Sequence, residues 1–493
     1  MSKHILNSIA EIKQYFAAND VPYYFMSASN FNLMGMHDWV KNWRNINLID
    51  CYDNQHPQVL MVENDHTQIF AGIEDINHYL INSPQAKALF DAEKNTARAI
   101  FLFFDERLEA ICESLNIEII LPKNKLVKEI DSKIVTTEIG NQANVASVPN
   151  ALAKIDGYET LLNVANEAEL GERWVIQTPY GDSGKTTFFI TNEDDYKKVA
   201  KKIEREEKVK IMRWINCRGT AIEACTTRWG TFVAPLLTEI IGDSHLTPYA
   251  GGWCGNELYE AAFSPDIRSQ VLEKSEAIGE ILYQRGYRGY FELDYLIDRD
   301  TEEVYLGELN ARITGISAMT NLSEFSMKNL PLFLFHLLEY DTNVELNFDV
   351  HAFNQAMLKN GAEGTAAQMI MKYTEEPLKI ITEAPVSGVY KLTAEGDLQL
   401  KQASTNRREA LGENEAYILR ISDKGEYAYK GNDLAILFLN QKIANTEGKL
   451  NENGQQWSDA LKACFKFRHL NQEERSLVEQ TYNPINIKGE KDE

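Results

Sequence analysis

Two runs, Tyr290-Phe291-Glu292-Leu293-Asp294-Tyr295-Leu296-Ile297 and Val304-Tyr305-Leu306-Gly307-Glu308-Leu309-Asn310-Ala311-Arg312, decide the fold of this 493-residue chain. Both are rich in aromatic and aliphatic residues, and the charged stretch 298–303 between them reads as a turn, so they form an antiparallel hairpin. Alternate residues of a strand share a face. Glu308, Asn310 and Arg312 therefore project together, while Gly307, Leu309 and Ala311 fill the opposite face. Glu292 and Asp294 likewise share a face of the first strand. Closing the hairpin gathers carboxylates and an amide oxygen at one place. Magnesium takes oxygen ligands, usually one or two carboxylates plus substrate phosphates. An arginine beside that cluster holds a phosphate or a developing anion without being deprotonated. A solvated polar face is the bland reading of such a pair, but it rarely includes Asn in mid-strand. The gathered carboxylates and amide oxygen, with Arg312 beside them, are thus a candidate site for a divalent cation and a phosphate.

Upstream of the hairpin lies Pro179-Tyr180-Gly181-Asp182-Ser183-Gly184-Lys185-Thr186. It nearly matches the phosphate-binding pattern GxxxxGK[ST], but Pro179 stands where the first Gly belongs. A P-loop opens directly onto a helix. Here both flanks, 173–177 and 186–190, are strand-like, so the segment reads as a glycine-containing hairpin whose N–H groups and Lys185 can fold over phosphates. A plain surface turn is the competing reading. Further upstream, Lys133 starts a helix expected over 133–142.

The rest of the chain frames these elements. The first ~130 residues alternate apolar runs (58–62, 99–104, 117–121) with helical patterns, as in an α/β layer. An amphipathic helix is expected over 1–20. Strands are expected over 209–214 and 219–226, and a long helix over 267–285. The glycine-rich stretch 251–256 is either a structural turn or a loop on the acceptor side. Beyond ~340 come strands at 367–373, 389–392 and 416–421, then a helix at 433–444. The tail 488–493 reads as a disordered charge run.

Composition bounds the function. Lys plus Arg number 50 and Asp plus Glu 73, a formal net charge of −23. That balance argues against nucleic-acid and anionic-membrane surfaces, which need cationic footprints. No apolar stretch approaches the ~20 residues that span a bilayer, and the start lacks a signal-peptide pattern, so a cytoplasmic location is expected. The six cysteines form no CxxC pair and read as reduced thiols.

The order Asp131-Ser132-Lys133, Val175-Ile176-Gln177, Gly181 to Thr187, Met212-Arg213-Trp214-Ile215, Asp294 and Glu308-Leu309-Asn310-Ala311-Arg312 resembles the ATP-grasp superfamily, in particular its biotin-carboxylase-like branch. The resemblance implies an α/β fold in four parts: a pre-ATP-grasp domain (1–130), a lid subdomain (131–215), a metal-bearing subdomain (216–340) and a C-terminal α/β region (341–493). It implies ATP and Mg2+ (Mn2+ as the alternative) between lid and metal subdomain. Lys133 resembles the lysine on the α- and β-phosphates. Gly181, Ser183, Gly184, Lys185 and Thr186 resemble the phosphate lid. Met212, Arg213, Trp214 and Ile215 resemble the adenine hinge, Asp294, Glu308 and Asn310 the metal ligands, with Glu292 competing for the place of Asp294, and Arg312 the arginine on the acyl phosphate and tetrahedral species.

Two departures matter. The family's second phosphate lysine closes the strand before the Gly-loop, where this chain has Gln177; Lys185 is the expected substitute. No carboxylate follows Arg312 in Ile313-Thr314-Gly315-Ile316-Ser317, which argues against bicarbonate and biotin chemistry. The implied activity is a ligase joining a small carboxylate to an amine through an acyl phosphate, with an amino acid or peptide as one substrate and a homodimer as the assembly. A phosphotransferase and a non-catalytic nucleotide binder are the alternatives.

Overall fold

Residues 3–64, 70–181, 186–322, 330–360, 364–409 and 412–481 are described by the computed structural model. The N-terminal part is built on a parallel five-stranded sheet in the order Val59–Met61, Trp43–Asn47, Tyr23–Ser27, Arg98–Phe101, Glu118–Ile119. Its central strand is buried on both sides, as parallel sheets require. Tyr24 and Met26 pack with Leu80, Leu108 and Cys112 on one face, and Tyr23 and Phe25 with Ile12, Phe16 and Phe333 on the other.

The expected helix over 1–20 is shorter than its pattern. Strand His4–Leu6 pairs in parallel with Val344–Leu346, and the helix runs only over Ile9–Ala17. Ser8 explains the start: its hydroxyl accepts from Glu11 N (3.2 Å) while the Glu11 carboxylate accepts from Asn7 N (2.8 Å), a reciprocal cap.

The second part is an antiparallel four-stranded sheet in the order Asn150–Ala153, Val209–Arg213, Trp174–Gln177, Thr187–Ile190. Helices Tyr158–Glu167 and Glu193–Glu204 supply Leu161 and Tyr196 to a small core with Ile176, Phe188, Ile190 and Ile211. The strands 174–177 and 187–190 form the hairpin expected around the glycine loop, Gln177 opposite Thr187.

The third element is an eleven-stranded antiparallel sheet. It runs from the hairpin Gly289–Asp298/Val304–Asn310 through Cys217–Thr227, Leu237–Ile241 and Trp253–Leu258 into the C-terminal strands. Two expectations fail here. Of the stretch 251–256, expected as a turn or a loop, residues from Trp253 on belong to a strand, Trp253–Leu258, held between 237–241 and Ala366–Lys372. Residues 433–439 are no helix but a buried strand, Asp433–Leu439, between 366–372 and Glu415–Arg420. An unbroken apolar run such as Leu434-Ala435-Ile436-Leu437-Phe438-Leu439 has no period of its own, so only its neighbours decide between helix and strand.

Among the described residues, no helix is long and apolar enough to cross a membrane.

Candidate active site

The hairpin register brings its polar residues onto one side. Asp294 lies opposite Glu308 and Glu292 opposite Asn310, with a bulge after Asp294. Directly opposed residues of an antiparallel pair share a face. Asn310 Nδ2 donates to Asp294 Oδ2 (3.4 Å), and Arg312 Nη2 donates to Asn310 Oδ1 (3.1 Å). The Arg312 guanidinium also lies over the Phe103 ring (4.8 Å) and faces Asp131 Oδ1 (3.9 Å).

Lys133 ties this hairpin to the lid. It is 3% exposed at the first position of helix Lys133–Gln142. Its Nζ meets Glu308 Oε1 (2.9 Å) and donates to the Gly181 carbonyl (2.9 Å), and its backbone N donates to the Pro179 carbonyl (2.9 Å). Gly181 has φ +146, and an added Cβ would meet the Thr186 side chain at 2.2 Å, so only glycine closes the lid base this way.

Two carboxylates at the site carry no motif. Glu223, on strand 217–227, lies opposite Glu292 in the register, extending the polar row across a third strand. It accepts hydrogen bonds from Tyr290, Ser317 and Thr314. Glu239, on strand 237–241, is within electrostatic reach of Asp294 and Glu308. The signal was hidden because each sits alone in a distant strand; only the order of strands in the sheet brings them together.

Crowding these acids in a buried place disfavours their charged forms. Burial, then the charges of Glu292 and Glu308, pushes Asp294 well above the carboxylate range. Burial, then Glu223 and Glu239, pushes Glu292 up to about 8. Burial pushes Glu223 up to about 7 and Glu239 upward as well. A divalent cation would supply balancing positive charge, and the all-oxygen chemistry of this set would suit one. No three of His, Cys, Asp and Glu among the described residues form a cage by themselves. Magnesium needs none, since phosphates complete its shell.

The pH dependence follows. A carboxyl whose folded pKa exceeds its unfolded one stabilises the fold below the unfolded value and loses that contribution as pH rises through the folded value. For Glu223 and Glu292 the window runs from 4.5 to about 7 and about 8. At about 1.36 kcal/mol per unit, Glu223 alone is worth on the order of 3 kcal/mol. The metal-free protein should therefore melt several degrees lower at pH 8.5 than at pH 6, with Mg2+ and ATP recovering much of the loss. A melting curve flat over that range contradicts the buried-acid arrangement.

On the four-stranded sheet, Gln177 turns its Nε2 to Thr187 Oγ1 (3.2 Å). Directly opposite it on strand 209–213 stands Lys210. Lys210 is fully buried, and its Nζ has no hydrogen-bond partner among the described residues. Burial pushes its pKa down to about 8, partly offset by Glu308 and deepened by Lys133. This lysine escaped the sequence reading because a cross-strand neighbour has no fixed spacing along the chain.

Lys185, Ser183 and Gly184 lie outside the described residues. In the segment expected to be the hinge, Met212 is buried, while Trp214 is exposed and stacked under Arg173 (3.9 Å). The N–H groups of Arg213 and Trp214 already donate to Pro149 and Arg173 carbonyls. Ile215 follows just beyond that strand. Behind Arg312, the Trp253 ring occupies the space a Cβ at Gly315 would need (2.4 Å), and Gln368 Nε2 donates to the Gly315 carbonyl (3.0 Å). The 253–258 strand thus buttresses the segment that follows Arg312.

No family model matches the chain. Among curated proteins, it is 23% identical over 263 residues to the [Butirosin acyl-carrier protein]–L-glutamate ligase of Niallia circulans, which covers 50% of this chain and 59% of that relative. The chain thus spans about three-fifths of the relative's length. Among solved structures, biotin carboxylase from Campylobacter jejuni in its β,γ-ATP complex superposes with a TM-score of 0.60 at 12% identity, covering 95% of this chain and 97% of that one. Phosphoribosylamine–glycine ligase from Thermotoga maritima gives 0.56 at 11%, covering 91% and 98%. The ADP complex of N5-carboxyaminoimidazole ribonucleotide synthetase gives 0.53 at 13%, covering 94% and 98%. At these identities the likeness establishes the fold.

Proposed function

We propose that this chain, which has the ATP-grasp fold, is an ATP- and Mg2+-dependent ligase that joins a small carboxylate to an amine. The observation that carries the reading is Lys133, buried between the Gly181 carbonyl of the lid and Glu308 of the hairpin. One cation thereby links the two walls between which a nucleoside triphosphate would lie. Its ion pair with Glu308 is the arrangement to be opened when phosphates and a divalent cation arrive. The names of the relatives support the same chemistry, since several are ligases and some were solved with ATP or ADP.

Asp294, Glu308 and Asn310 would hold the metal. When bound, it neutralises charge on the transferring phosphoryl group. The substrate carboxylate attacks the γ-phosphorus, forming an acyl phosphate as the bond to ADP breaks. Arg312, pinned by Asn310 and the Phe103 ring, orients that carboxylate and later steadies the oxyanion of the tetrahedral adduct. The amine attacks the acyl carbon, and inorganic phosphate departs. The lid hairpin keeps water from the acyl phosphate in between.

Phosphate release tests the reading. With ATP and Mg2+, it should require both an acid and an amine, and mass spectrometry should find an amide in an amount equal to the ADP formed. L-glutamate belongs in the panel because the Niallia circulans relative is named for it. A phosphorylated product with no amide assigns a phosphotransferase instead, and ATP binding without turnover on any pair assigns a binder.

A further inference from the structure

In front of Arg312, the segment 101–104 and the helix Asn124–Ile130 enclose a cavity of about 220 Å3. It opens off the carboxyl end of strand 98–101. That strand and 43–47 flank 23–27 on opposite sides, so the strand order reverses there. Parallel sheets bind ligands at such reversals, outside the carboxyl ends of their strands. A second groove, of about 490 Å3, is lined by Phe70, His78 and Tyr79 and touches none of the residues around Arg312.

The lining selects the occupant. Phe101, Phe104, Leu121 and Val127 make one wall apolar, and Lys128 is the lining's second cation after Arg312. Arg312 brings one guanidinium, stacked on Phe103. Asn124 is 3% exposed, and its Nδ2 donates to the Phe104 carbonyl (2.6 Å), which fixes the amide orientation. Its Oδ1 is buried with no partner among the described residues. Asn124 lines the cavity, so that acceptor is available to an N–H of whatever occupies it. The volume is below the ~300–1,000 Å3 of drug-sized sites, which excludes a bulky peptide.

We infer that this cavity receives one hydrophobic α-amino acid, its carboxylate on Arg312, its amino N–H on Asn124 Oδ1, and its side chain against Phe101, Phe104, Leu121 and Val127. The inference rests on the ligase reading, because the acid held at Arg312 is the one to be activated. Asp131 and Glu74, also in the lining, supply carboxylates to balance the ammonium.

Calorimetry on the full chain, with and without Mg2+ and ATP, tests it independently of turnover. L-leucine and L-phenylalanine should bind at least tenfold more tightly than L-glutamate or L-lysine, and phenethylamine, lacking the carboxylate, should bind at least tenfold more weakly than L-phenylalanine. Val127→Trp should fill the cavity and abolish amino-acid binding while changing ATP affinity less than twofold. Asn124→Leu, a second variant should the first misfold, should weaken amino-acid binding about tenfold. Equal or better binding of L-glutamate, or none of the hydrophobic amino acids by a chain that binds ATP, overturns the inference. Binding of leucine by a chain that does not bind ATP leaves the inference standing and removes the ligase reading.

Discussion

Glu308→Gln should lower turnover about a thousandfold, the size of effect seen when one preorganised electrostatic contact to a transition state is lost. Glutamine keeps the volume and one oxygen but removes the charge that faces Asp294 across the hairpin and Lys133 at 2.9 Å. The consequences are separable. ATP binding without Mg2+ should be unchanged or slightly tighter, because Lys133 is released from its ion pair. The Mg2+-dependent gain in ATP affinity should shrink. Steady-state kinetics with metal titration, next to calorimetry with and without Mg2+, reads both. A Glu308→Gln protein with full turnover would remove the proposed metal role.

Lys210→Met should weaken ATP binding about a hundredfold, close to 3 kcal/mol at ~1.4 kcal/mol per tenfold. An ammonium with no hydrogen-bond partner is costly to bury. Lys210 nevertheless sits fully buried, a cost that Glu308 offsets only in part and Lys133 raises. A polyanion between the two lysines relieves both. We therefore propose Lys210, across from Gln177, as the phosphate lysine expected at 177. The exchange Lys210→Gln with Gln177→Lys should recover most of the lost affinity, because the register places the two side chains opposite each other on one face. Adenosine affinity should be nearly unaffected throughout, which separates a phosphate contact from a folding defect. Lys185→Ala is the comparison: a severe loss there and none at Lys210 returns the role to the lid lysine.

The site was partly legible because strands obey a period of two. From spacing alone, Glu308 and Asn310 had to share a face, as did Glu292 and Asp294, and the structure lines those faces up through one register; Arg312, expected in the same strand, lies beyond its end at Asn310, where its N–H turns back to the Asn310 carbonyl. The helix 133–142 was read with the bounds it has, its first residue being the buried lysine. Residues such as Glu223, Glu239, Lys210 and Asn124 were illegible for a common reason. Each acts with a partner on a different strand or helix, at a separation that no local pattern encodes.

The chain itself therefore determined its α/β layers, the carboxylate hairpin, the glycine-bearing lid and the lysine before it, since all follow from local periodicity and turn chemistry. Tertiary structure alone decided that 433–439 is a strand, that Lys210 stands across from Gln177, and that an apolar cavity opens at Arg312. Those outcomes depend on which strands become neighbours, and that choice is made by burial over the whole sheet, not by any one segment.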